Sequence, residues 1–157
     1  IVSSSFSILS IINSKNHLDT ILELYSDVHE ISNYGENIEN LNETQKIVLW
    51  IENLEMEVNN GGFHQFFFNS SGDYAMETLI ALEKIGANKT LEILKNVIAE
   101  WPNSSVPKNR TERIVILEKI EKKAEQKWGN CDTKFFKYED DITALLWQYV
   151  IMNKENL

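Results

Sequence analysis

At 157 residues and 18.2 kDa, the chain is long enough for one domain that buries about 70% of its unfolded surface. Its formal net charge of −9, from 24 acids against 15 bases, argues against direct binding of nucleic acid. A single cysteine, Cys131, excludes an internal disulfide and a cysteine-built zinc cluster, and it fits a reducing compartment such as the cytoplasm.

Residues 1–16 are apolar but diluted by serine, with no basic stretch and no small-residue cleavage site. They read as a tail or short helix docked on the core, ahead of a single all-helical domain over 17–157, with no membrane contact. The first strong helix is predicted over 17–30. Leu18, Ile21, Leu22, Tyr25 and Val28 repeat there with helical spacing and should face inward. Asn42 should cap the next helix, with Gln45 closing a capping box. Ile47, Trp50, Ile51, Leu54 and Val58 give that helix a wide apolar stripe.

Gly61-Gly62 is too costly for a helix interior, and Asn59 and Asn60 tolerate left-handed backbone, so a sharp reversal is expected there. Phe63, Phe66 and Phe67 then fall at i, i+3 and i+4, on one face of a short helix aimed at the core. Ser70-Ser71-Gly72 breaks that helix. Asp73 should cap the next one, which Gly86 ends. Asn88 should cap a fifth, stopped by Pro102. After a loop holding both prolines, Asn109 opens a long helix that Gly129-Asn130 should close. The last helix is predicted over 140–153, with Leu145, Leu146, Tyr149 and Met152 inside. No run alternates like a half-buried strand, so the fold class is all-α, one compact domain of six or more helices. Of five Asn-x-Ser/Thr triplets, those at Asn42, Asn88 and Asn109 precede helical patterns and read as caps, not glycosylation sites.

The charge is uneven. Between residues 17 and 57, ten acids face only Lys46, so the whole −9 lies there; the other fourteen acids and fourteen bases cancel. Asp19, Glu23, Asp27 and Glu30 are spaced by 4, 4 and 3 residues and share about an 80° arc of the first helix. Such a line repeats a carboxylate every 5–6 Å or so, and each like-charged pair costs about 0.2–0.5 kcal/mol. It is either a solvated face or an imitation of a phosphate backbone.

The run VNNGGFHQFFFNSSGDYAMETLIALEKIGA resembles the signature of the bacterial DNA-mimic protein family, long catalogued as a domain of unknown function. The matching positions are Asn60, Gly61, Gly62, Phe63, Gln65, Phe66–Phe68, Asn69, Ser71, Gly72, Ile85, Gly86 and Ala87. The likeness extends more weakly over roughly residues 42–152. It implies a small all-helical fold, often a homodimer, and in the namesake an acidic surface that imitates duplex DNA and occupies a DNA-binding protein. The motif itself (Asn60, Gly61, Gly62, Phe63, Gln65, Phe66, Phe67, Asn69, Ser71, Gly72) reads as scaffold.

Two functions of different class follow. One is a non-enzymatic protein-binding module that presents Asp19, Glu23, Asp27, Glu30, Glu36, Glu39, Glu43, Glu52 and Glu55 to a basic, DNA-holding protein. The other is a small hydrolase or metal-binding enzyme built around Glu57, Asn60 and His64 at the Gly61-Gly62 corner. Motifs favour the first. His17, His29 and His64 show no His-Glu-x-x-His spacing, Cys131 has no evident base, and Gly61-Gly62 lacks the Lys and Ser/Thr of a phosphate loop. Asp140-Asp141 suits a helix start. No catalytic residue, metal or cofactor is therefore expected.

Overall fold

The computed structural model describes residues 17–157; the docked-tail expectation for 1–16 lies outside the described residues. Six α-helices follow one another: α1 (His17–Ile31), α2 (Glu43–Phe68), α3 (Ala75–Ile85), α4 (Asn88–Ile98), α5 (Arg110–Phe135) and α6 (Ile142–Met152). Short 3-10 turns at Ile38–Asn40, Ser70–Tyr74, Pro102–Ser104 and Lys154–Asn156 connect or follow them, and no strand occurs among the described residues.

The central element is α2. Asn42 and Gln45 form the expected capping box, each side chain bonding the other's backbone N–H. Beyond the cap the helix is apolar on more than one side, because Ile47, Val48, Leu49, Ile51, Leu54 and Val58 are all buried. It therefore packs against α1, α3, α5 and the Ser70–Tyr74 turn together. The predicted phenylalanine face is core: Phe63, Phe66 and Phe67 are fully buried. The Phe67 ring lies 5.0 Å from Trp101 and 5.4 Å from Trp128, while Phe63 meets Phe135 edge-on at 5.8 Å.

Several local expectations give way to tertiary partners. The buried face of α1 is Thr20, Ile21, Leu24 and Val28, and Leu18 and Leu22 are exposed, since α1 turns toward α2 and α6. Asp73 does not cap α3; its carboxylate accepts from Arg113 instead. Asn88 is the first residue of α4, not its cap. Asp140, from the chain before α6, accepts from both the N–H and the hydroxyl of Thr90 in α4's first turn (2.7 and 2.9 Å). Gly129-Asn130 does not close α5, which continues to Phe135 because Cys131 and Phe135 are buried. In α6 the inner residues are Ile142, Leu146, Trp147 and Val150, with Met152 85% exposed. Asn109 and Gly86 act as predicted, the first capping Glu112 N–H and the second left-handed at φ 78°.

Arg113 of α5 is completely buried. Its Nε donates to Phe67 O (2.7 Å), Nη1 to Pro107 O and Lys108 O (3.0 and 2.9 Å), and Nη2 to Asn69 O and Asp73 Oδ1 (3.0 and 2.6 Å). All five donors of the guanidinium are thus engaged, two of them with carbonyls at the C-terminal end of α2. Arg113→Met and Phe67→Ala are each expected to lower the unfolding free energy by about 3–5 kcal/mol, the first by orphaning buried acceptors and the second by leaving a cavity. Urea denaturation reads both, and a loss below about 1 kcal/mol in either would contradict this packing.

Candidate functional site

The Gly61-Gly62 corner is a break inside α2, not the full reversal expected from sequence. Gly61 has φ −155° and ψ 22°, and Gly62 has φ 72° and ψ −176°, a region that essentially only glycine occupies. The break frees the N–H of Phe63, which donates to Asp132 Oδ1 of α5 at 2.8 Å. Asp132 in effect caps the second half of the helix from across the core. Burial raises its carboxyl above the usual range, and the Phe63 bond opposes that shift. A Cβ on Gly62 would sit 2.5 Å from Asp132 Oδ2.

Glu57, one turn before the break, collects the polar half of the motif. Its Oε2 accepts from Gln65 Nε2 at 2.7 Å and Asn69 Nδ2 at 2.9 Å, and its Oε1 accepts from Ser71 Oγ at 3.2 Å. One carboxylate therefore ties together both halves of α2 and the following turn. Gly72 closes the corner: a Cβ there would lie 2.8 Å from both Phe66 O and Arg113 Nε. Asn60 and Gly61 are exposed. The sequence signalled the motif but not its anchor, because Glu57 lies outside the glycine run and looks like one acid among ten.

The acidic residues fall into two groups. Asp19, Glu23, Glu30, Glu36, Glu39 and Glu43 are exposed, and Asp27 is partly buried. Burial, then the charges of Glu30 and Glu23, push the Asp27 carboxyl upward. Glu43 is paired with Lys84, and Glu36 accepts from Asn33 Nδ2 at 2.7 Å. Glu52 and Glu55 do not join this surface. Glu52 is 4% exposed and Glu55 is partly buried, one turn apart on α2, and both line a hollow of about 450 Å³ with Leu18, Asn59 and Tyr138. Their helix face turns toward α1 and the chain ahead of α6, which removes them from water.

Burial raises Glu52 to about 8, assisted by the charge of Glu55. Burial likewise raises Glu55 to about 7, opposed by hydrogen bonding with Tyr138 and Glu52. Each carboxyl then holds its proton more tightly in the folded chain than in the unfolded one. The stability this gives is fully present below the ordinary value near 4.5 and is lost as pH rises through about 7 and 8. Glu52→Gln is expected to flatten the fall in unfolding midpoint between pH 5 and 9, roughly the window these values define. An unchanged pH profile by thermal denaturation would contradict it.

Two further hollows flank the motif. One, of about 580 Å³, is lined by His64, Glu121, Lys122, Glu125, Trp128, Gly129 and Asp132, with His64 Nε2 2.7 Å from Glu121. The other, of about 650 Å³, lies between α1, α2 and the Ser70–Tyr74 turn and includes Glu57. His64 and Glu57 thus line separate hollows, and Asn60 lines neither, so the three residues of the enzyme reading are not assembled into one site. Among the described residues no group of three His, Cys, Asp or Glu side chains is placed to hold a metal ion, and no helix is long and apolar enough to cross a membrane.

A small all-helical domain with a glycine-broken central helix is the class of protein these elements define. A family model described as DMP19-like protein matches residues 39–153, and the chain belongs to that family, the DNA-mimic family. No curated protein and no solved structure matches the chain. The matched span contains the motif, Glu57 and Arg113 but begins after α1, so the carboxylate line from Asp19 to Glu30 lies outside it.

Gly62→Ala is expected to destabilise the fold by at least about 1–3 kcal/mol, since both the backbone region and the Asp132 contact oppose a side chain. Equal melting temperatures for variant and parent would remove the strained corner from this account.

Proposed function

We propose that the protein is a non-enzymatic binding module whose acidic α1 face, with the adjoining Glu36 and Glu39, occupies a basic surface of another protein, one that otherwise holds DNA. The observation that carries this is the α1 carboxylate line. Asp19, Glu23, Asp27 and Glu30 recur along one side of a helix whose opposite side is buried. None of Glu23, Asp27 and Glu30 forms an ion pair with a described residue. Membership of the DNA-mimic family supports the same reading through the remainder of the chain. The surface is smaller than the sequence suggests, because Glu52 and Glu55 are withdrawn from it and Glu43 is engaged by Lys84.

Exposed charges of this kind act mainly on the encounter rate, and salt screens them over a Debye length of about 8 Å at physiological strength. Binding is measured against a basic DNA-binding protein recovered from native extract, with duplex DNA as competitor. The double variant Glu23→Lys, Asp27→Lys is expected to slow association at least about tenfold at low salt while the dissociation rate changes little. Duplex DNA should displace the wild-type chain, and affinity should fall steeply as salt rises. An unchanged association rate, or a complex that DNA does not disturb, would sink the proposal.

A further inference from the structure

The hollow of about 650 Å³ between α1, α2 and the Ser70–Tyr74 turn has a wall chemistry that the acidic-face reading does not use. Its volume falls in the range of small-molecule sites, roughly 300–1,000 Å³. Tyr25, His29, Tyr34 and Tyr74 supply aromatic surface, and Glu36, Glu57 and Asp73 supply carboxylates, with no Lys or Arg among the described lining residues. Asp73 is neutralised by Arg113. Glu57 is not neutralised: its three hydrogen bonds come from neutral side chains, and it forms no ion pair with a described residue. Those bonds offset part of the cost of a partly buried carboxylate, and a cation would offset more. Among the lining residues, His29 Nε2 is buried without a hydrogen-bond partner. Burial also lowers the His29 pKa, which the Asn53 side chain opposes.

These features exclude most ligand classes. An anion would meet Glu36 and Glu57 with no counter-charge in the walls. A purely apolar ligand would strip water from Asn53, Glu57, Ser70 and Ser71. An organic cation satisfies both demands, because ring faces attract cations and a carboxylate pairs with them. Lys108 shows the first effect locally: its Nζ stands 4.8 Å from the Tyr74 ring centroid while bonded to Glu77. Tyr34 lines the hollow from the surface, 74% accessible and with its ring 6.3 Å from His29.

We propose that this hollow is a binding site for a guanidinium or primary ammonium group on a short alkyl stem, held by Glu57 and enclosed by Tyr25, His29 and Tyr34. The chemistry is shared by free small amines or guanidines and by the arginine or lysine side chain of a protein, and the experiment separates them. It needs neither a DNA-binding partner nor the α1 carboxylate line and shares only Glu36 with the proposed surface, so the failure of one is distinguishable from the failure of the other.

The full chain is titrated by NMR with ethylguanidinium and propylammonium, with the neutral isostere propylurea, and with N-acetyl-arginine amide and a short arginine peptide. The cations are expected to give saturable shifts confined to residues around Glu57, and propylurea none. Glu57→Gln should weaken binding at least about tenfold, as loss of the pairing charge requires. Glu57 also anchors the motif corner, so Tyr34→Leu and Glu36→Gln, both at exposed positions, serve as the second pair of variants; each should weaken binding with the melting temperature unchanged. Tighter binding of the free cations than of the arginine amide and peptide assigns the site to a small molecule, and the reverse order assigns it to a protein side chain. Equal binding of propylurea and ethylguanidinium, no saturation by any cation, or variants that bind like the parent would overturn the proposal.

Discussion

Arg113 enters the core with no accessible surface, and a guanidinium in that position is tolerable only when every donor is met. Its five bonds reach the end of α2, the Ser70–Tyr74 turn and the residues just before α5. Those contacts do the work that local capping leaves undone. The last carbonyls of α2 have no partner within their own helix, and Arg113 takes Phe67 O while Arg110 takes Phe68 O. The same guanidinium draws Asp73 away from α3 and, with Phe66 O and Phe67 O, leaves no room for a Cβ on Gly72.

Glu57 plays the corresponding part on the other side of the corner. With Gln65, Asn69 and Ser71 on its two oxygens, it fixes how the second half of α2 leaves the first. Asp132 then supplies the acceptor that the broken helix lacks at Phe63. The corner is held by three charged side chains and two glycines, and the phenylalanines fill the space beneath. The motif residues are accordingly tied together through Glu57, Asp132 and Arg113, with Asn60 and Gly61 on the surface. Glu57 faces both the scaffold and the hollow beside α1, as Asp132 does on the opposite side.

The acidic character of the chain divides along the same lines. Most carboxylates on α1 and the following loop stay exposed, with Asp27 partly buried. Those further along α2 are drawn inward, where burial raises both Glu52 and Glu55 and Glu57 organises the corner. Identical residue types within forty positions thus end in surface, buried and structural roles.

How much of this was legible depended on whether the cause was local. Period, caps and glycines lie within a few residues of what they act on, so the all-helical class, the Asn42 and Asn109 caps, the left-handed Gly86 and the buried Phe63, Phe66 and Phe67 could be read from the sequence. The break at Gly61-Gly62 was legible as a departure from helix, though not as a kink within one helix. Partners distant in the chain could not be read. Asp140 replaces Asn88 at the start of α4 from fifty residues away, Arg113 claims Asp73 from forty, and Asp132 meets Phe63 from sixty-nine. Pattern alone likewise gave Glu52 the same standing as Glu23, because both are acids at helical positions. Only the packing of α1 and the chain ahead of α6 against α2 decided which of them water reaches.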